Sequence, residues 1–158
     1  MGRIDDIFAA LRAEKRKALM PFLCAGHPTL EETREAILAC EAAGASVIEI
    51  GIPFSDPIAD GPVIAGAMHE ALGHGVTPAK VFDMVHSVRG ETGVGLVAMV
   101  SYSIVYRMGD GGARAFIELA CEAGFDGFIF PDVPEEESDE LVSVCDESDA
   151  SLSMLIAP

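Results

Sequence analysis

The sequence predicts an α/β fold, a parallel sheet covered by helices, and three observations carry that reading. Short apolar runs alternate with amphipathic stretches along the whole chain. The apolar runs lack hydrophilic alternation, as strands buried on both faces do. Single helical stretches separate the runs, which is the pattern of βα units. An internal echo supports the repeat. Glu41-Ala42-Ala43-Gly44 and Cys121-Glu122-Ala123-Gly124 each precede an apolar run, and the two glycines lie 80 positions apart, or about 40 residues per βα unit.

Taken in order, residues 3–14 read as a short amphipathic helix, and Ala18 to Ala25 (ALMPFLCA) as a buried strand. Thr29 opens a helix, with Glu32 completing a capping box. That helix carries Ile37, Leu38 and Cys40 and stops at Gly44, a C′ glycine. Ser46 to Ile52 (SVIEIGI) is the second strand, followed by a loop and a helical stretch through Leu72. Thr77-Pro78 supplies an N-cap and a proline at the first helical position. Gly95 to Ser101 (GLVAMVS) is the third strand. Gly112 to Ala123 is a helix with Phe116, Leu119 and Ala120 on one face, and Gly127 to Phe130 is the fourth strand. Pro134 and the run Glu135-Glu136-Glu137 start a helix, where negative charge suits the dipole. Ser151 to Ile156 is a fifth strand. This order fits an open doubly wound sheet or a (β/α) barrel. The text after the first strand, Ala25-Gly26-His27-Pro28, is no glycine-rich phosphate fingerprint. That weakens the dinucleotide fold without establishing the barrel.

The chain has 158 residues, half of them hydrophobic, and no low-complexity tract divides it. One domain over residues 1–158 is expected. The formal net charge of −16 disfavours nucleic acid and anionic lipid as partners, but says nothing positive about a substrate. Cys24, Cys40, Cys121 and Cys145 form no CxxC pair and no metal-ligand spacing with a His. They read as small buried hydrophobes of a reducing compartment. The acidic start is no secretory signal, and no uncharged run is long and unbroken enough to span a bilayer. A soluble cytoplasmic protein is expected.

Glu49 is the anomaly, a carboxylate inside a strand of buried type. Lost hydration there raises a carboxyl's pKa and equips it to exchange protons near neutral pH. Pairing with a buried cation is the other explanation, although the chain has only ten Lys and Arg. Asp56 and Asp60 follow in a loop stiffened by Pro53, Pro57, Gly61 and Pro62. Loops after strands carry function in both candidate folds, and Asp-Pro and Asp-Gly are equally ordinary turn chemistry. Two carboxylates, one from the strand and one from its loop, could converge on one substrate. His27, His69, His74 and His86 share no spacing and read as structural or surface residues, with no metal implied.

The run Pro53-Phe54-Ser55-Asp56-Pro57-Ile58-Ala59-Asp60-Gly61-Pro62 resembles the signature of the tryptophan synthase alpha chain family. Pro21-Phe22, Ala25-Gly26, Gly75-Val76-Thr77-Pro78 and Asp132-Val133-Pro134-Glu135-Glu136 add matches along the chain. The resemblance implies a (β/α)8 barrel of TIM type, represented here by about five parallel strands, as in the general barrel architecture. It implies cofactor-free cleavage of indole-3-glycerol phosphate to indole and glyceraldehyde 3-phosphate, in tryptophan biosynthesis. It gives Glu49 the role of protonating indole C3, and Asp60 that of the carboxylate near the indole nitrogen. Phe22, Ile64, Met99, Ser101 and Ile129 match positions lining the indole pocket, and Pro53 and Asp56 match the loop facing a beta chain. That partner, which joins the alpha chain in a heterotetramer, holds the pyridoxal phosphate.

The sequence also departs from the family. His27 stands where Asp is usual, Ala65 where Gln is usual, and Glu70 where Arg is frequent. Ser101-Tyr102-Ser103-Ile104 replaces a Tyr-Tyr-Asn-Pro run, so Ser101 takes the place of an aromatic. The sequence reaches strand five, whereas the family continues through strand eight, and such barrels grip phosphate with the loops after strands seven and eight. A shortened form with impaired catalysis is therefore expected. The alternative is a non-catalytic barrel fragment that binds a partner or associates with itself.

Overall fold

The computed structural model describes residues 2–57, 60–108 and 111–156. Helix α1 (Arg3–Ala13) precedes strand β1 (Phe22–Cys24), and α2 (Leu30–Ala42) leads to β2 (Val47–Gly51). Helices α3 (Pro62–Gly73) and α4 (Pro78–Arg89) precede β3 (Gly95–Met99). Helices α5 (Tyr102–Arg107) and α6 (Gly112–Ala123) precede β4 (Gly127–Ile129). A 3-10 turn (Glu135–Glu137) and α7 (Asp139–Glu147) lead to β5 (Ser151–Ser153). The five strands form one sheet in chain order, every pair parallel. Strand neighbours that follow sequence order suit a barrel wall, whereas a doubly wound sheet reverses its order at a switch point.

Alternation along each strand separates two faces. Ile48, Ile50, Leu96, Ala98 and Phe128 face the helices and join the main core with Ile37, Val85, Phe116, Ile117 and Leu141. Phe116 meets both Phe82 and Phe128 edge-on, tying α4 and α6 to the sheet. The inner face carries Val47, Val97, Met99 and Ile129, packed against Ile4, Ile7 and Phe8 of α1. Gly95 and Gly127 make this closure possible. A Cβ at Gly95 would sit 3.1 Å from Ile4 Cγ1, and one at Gly127 would sit 2.9 Å from Ile4 Cδ1. Helix α1 thus covers the end of the sheet where the strands begin.

The helix ends explain the internal echo. Gly44, Gly75 and Gly124 all have positive φ. The next residue's amide returns to the last helical turn: Ala45 to Cys40, Val76 to Ala71 and Phe125 to Ala120, at 2.9–3.1 Å. This left-handed exit, cheap only for glycine, turns each helix back toward the sheet. The Thr29 cap is also present, its hydroxyl accepting from the Glu32 amide at 3.1 Å.

Several expected boundaries shift. The first strand is limited to Phe22–Cys24; Leu19 and Met20 are exposed, and Pro21 has no N–H to add to the ladder. The third and fourth strands stop at Met99 and Ile129. The stretch after Met99 turns into α5, which the sequence reading omitted; its six residues are too few for a legible helical period. The acidic run makes a 3-10 turn, closed by the Ser138 amide and hydroxyl on the Glu135 carbonyl, and α7 starts only at Asp139. The fifth strand ends at Ser153. On α6 the buried stripe is Ala113, Phe116, Ile117, Ala120 and Ala123, while Leu119 lies outside it and is exposed.

Candidate active site at the carboxyl ends of the strands

Glu49 lies on the inner face of β2, level with Phe22 of β1 and Val97 of β3. It is half-buried. Burial pushes its carboxyl above the ordinary 4.5, and among the described residues no neighbouring charge contributes. The buried-cation explanation therefore does not hold, and desolvation is the operative cause. A carboxyl so placed keeps its proton to higher pH and can deliver it to a substrate. The Phe22 ring lies across Gly51, where an added Cβ would sit 2.4 Å from Phe22 Cζ. Glycine at this position lets the ring lie flat on the inner face, beside Glu49.

The loop after β2 places the other carboxylates. Pro53 is buried, Phe54 and Asp60 are half-buried, and Asp56 is exposed. The Ser55 hydroxyl donates to Asp56 at 2.6 Å, and the Asp60 amide donates to the Pro57 carbonyl at 3.1 Å. Ile58 and Ala59 of the signature run lie outside the described residues. Asp60 approaches the end of β1: the Cys24 thiol is pushed up to about 11 by burial and, secondarily, by the negative charge of Asp60.

A cavity of about 340 Å³ opens at this end of the sheet. Ile52, Phe54, Met68 and Met99 supply apolar walls, and Asp60, Ser101 and Asp132 supply polar points. Ser101 is buried; its hydroxyl donates to Asp132 Oδ2 at 2.7 Å and accepts from the Ser103 amide at 3.3 Å, capping α5. Asp132 follows β4 and also accepts from the Tyr102 amide, at 2.9 and 3.1 Å.

Among the residues singled out in the sequence, Asp56, Asp60, Met99 and Ser101 line this cavity. Glu49, Phe22 and Ile129 belong to the inner face of the strands that lead into it. Ile64 is half-buried on α3, one turn before the lining residue Met68, and Pro53 is buried outside the lining. Asp132 was not singled out, although it opens the matching Asp-Val-Pro-Glu-Glu run. Its role as an acceptor for the β3–α5 turn depends on two loops 30 positions apart meeting.

His27 and Glu70, two of the departures, face each other at 3.5 Å on the surface, and His74 Nδ1 lies 3.2 Å from the Pro28 carbonyl. Among the described residues no group of three or more His, Cys, Asp or Glu could hold a metal ion. No helix in that set is long and apolar enough to cross a membrane. A carboxyl raised by burial, on the strand face leading to an apolar slot with further carboxylates, can exchange a proton with a largely apolar substrate bound there.

A model of the tryptophan synthase alpha chain family matches residues 8–158. The tryptophan synthase alpha chain of Clostridium beijerinckii is 42% identical over 158 residues, covering 99% of this chain and 60% of that protein. The corresponding protein of Haloferax volcanii is 44% identical over 142 residues, covering 89% of this chain and 50% of the relative. Among solved structures, tryptophan synthase subunit alpha of Legionella pneumophila superposes with a TM-score of 0.90 at 37% identity, over 96% of this chain and 57% of that one. Tryptophan synthase of M. tuberculosis in a ligand-free form gives 0.91 at 32% identity, over 100% and 62% of the two chains. The chain therefore spans between half and about 60% of the length of these relatives.

Proposed function

The chain belongs to the tryptophan synthase alpha chain family, and from that premise we propose that it carries the acid–base half of a lyase site for indole-3-glycerol phosphate. The observation that carries the reading is Glu49, set on the strand face that leads into the apolar cavity, its carboxyl raised above the ordinary value by burial. In a retro-aldol cleavage the bond between ring carbon C3 and the glycerol chain breaks. The neighbouring hydroxyl loses its proton as the aldehyde forms, and C3 gains one. A carboxyl that donates to C3 becomes the carboxylate that can take the hydroxyl proton, so one group can serve both transfers. Asp60 would accept from the ring N–H, stabilising positive charge that builds on the nitrogen as C3 is protonated. The chemistry proposed needs no cofactor from this chain. Phe22, Ile64, Met99, Ser101 and Ile129 would surround the ring, and the loop bearing Pro53 and Asp56 would face a beta chain, whose pyridoxal phosphate would consume the indole.

Indole release from indole-3-glycerol phosphate, followed with and without a tryptophan synthase beta chain, tests the proposal. Slow release is expected from the chain, in keeping with impaired catalysis, and none from its Glu49→Gln variant, with matching circular dichroism for the two. Equal release by both would remove Glu49 from the mechanism. Failure of indole to bind the cavity at all would remove the functional reading itself.

A further inference from the structure

Asp132 lies outside the roles assigned above, yet it joins two of the loops that shape the cavity. It accepts the Ser101 hydroxyl at 2.7 Å and the Tyr102 amide at 2.9 and 3.1 Å. Tyr102 opens α5, so its amide is one of the helix-start donors that lack an intrahelical acceptor. Ser101 has a single hydroxyl proton, and donates it in the hydrogen bond to Asp132. The same hydroxyl accepts from Ser103. The turn after β3 is thereby clasped to the loop after β4. The Tyr102 ring adds an edge-on contact with Phe130 at 6.4 Å between ring centroids. Met99 and Ser101, just before this turn, and Pro131, beside Asp132, all line the cavity.

We propose that Asp132 is a positioning residue for the aromatic slot: acting through Ser101 and the Tyr102 amide, it holds the β3 turn at the distance a ring requires. The proposal rests on the reading of the cavity as an indole site. The clasp consists of charge-assisted hydrogen bonds, one of them to a buried side chain, and such bonds exceed neutral ones in strength. Without it α5 keeps only the Tyr102–Phe130 ring contact to the β4 loop, and the Ser101 hydroxyl only the Ser103 amide. The slot wall would then sample positions too wide or too narrow for a flat ring, and small misplacements in a binding constellation are costly.

The test measures indole binding to the 158-residue chain by calorimetry well below the melting temperature, beside Asp132→Ala, Asp132→Asn and Ser101→Ala. Asp132→Ala is expected to weaken binding about tenfold. Asp132→Asn keeps an oxygen that can accept from the Tyr102 amide, so it should stay within about threefold of the parent, and Ser101→Ala should fall between. A purely structural role would lower melting temperature while leaving affinity alone. As a second readout, the Tyr102 amide resonance should move on indole addition in the parent chain, and in Asp132→Ala only at about tenfold higher indole. If Asp132→Ala binds indole as the parent does, or if Asp132→Asn loses as much as Asp132→Ala, the positioning role is overturned and the indole reading stands. If the parent chain binds no indole, both fall together.

Discussion

The Glu49 carboxyl is raised above its ordinary value because β2 carries it onto a half-buried inner face, where among the described residues no cation offsets the lost hydration. The same cause links it to stability. Its folded pKa lies above the unfolded value, so folding takes up a proton in the range between them. The burial penalty is absent below the unfolded value of 4.5 and grows as pH rises through the raised value. Glu49→Gln should therefore be more stable than the parent chain at about pH 8 and equal to it at about pH 4, in urea unfolding at both pH values. A variant less stable at alkaline pH would contradict desolvation as the cause. The oddity of Glu49 was legible in the sequence, since a charge in an uninterrupted apolar run stands out. Asp132 was not legible, because an Asp before a Pro-bearing turn looks like any other turn residue until its partners 30 positions away are known.

The helices and strands sort by how far their determinants extend along the chain. Thr29 and Thr77 with the glycines at 44 and 124 delimit helices through contacts within a turn, so the sequence located those ends. Helix α5 and the start of α7 depend on a clasp from another loop and on a closed 3-10 turn, and there the sequence reading missed. At the opposite end of the sheet Arg89 is a further long-range determinant. Its guanidinium donates to Asp126 at 3.0 Å and to the carbonyls of Gly124, Thr92 and Val94, while Asp126 also accepts from the Leu96 amide. Arg89 and Asp126 side chains are only 16% and 13% exposed. Arg89→Ala would take a donor from the Gly124, Thr92 and Val94 carbonyls and leave Asp126 to Arg3 and the Leu96 amide, and should destabilise the fold by about 2 kcal/mol in denaturant titration. A loss below about 0.5 kcal/mol would mean that water replaces the guanidinium at no cost.

Across the whole molecule, a formal net charge of −16 surrounds a core that must fold against the repulsion of its excess acidic groups. Screening shortens from about 30 Å at 0.01 M salt to about 3 Å at 1 M. The melting temperature should therefore rise by roughly 3–5 °C across that range in sodium chloride, by scanning calorimetry. A flat response would show that the acidic groups are spaced beyond effective repulsion. The charge also bears on the site, whose cavity lies among Asp56, Asp60 and Asp132. That setting suits the N–H of a neutral ring. It is a poor seat for phosphate, which must be held elsewhere in the lyase proposed here.

The sequence alone determined the class of fold and most helix ends, because these rest on local pattern: apolar period, capping residues and helix-end glycines; the loop from Pro53 to Pro62 it marked by its resemblance to a family signature. The parallel sheet in chain order removed the doubly wound alternative, and that choice lies in strand neighbours that no local pattern encodes. Tertiary structure also decided that Glu49 is desolvated rather than ion-paired, that Phe22 lies across Gly51, and that α1 closes the far end of the sheet. Each of these is a contact between segments distant in sequence. Burial and hydrogen-bond partnership are properties of such contacts, so they became visible only once the five strands were brought together.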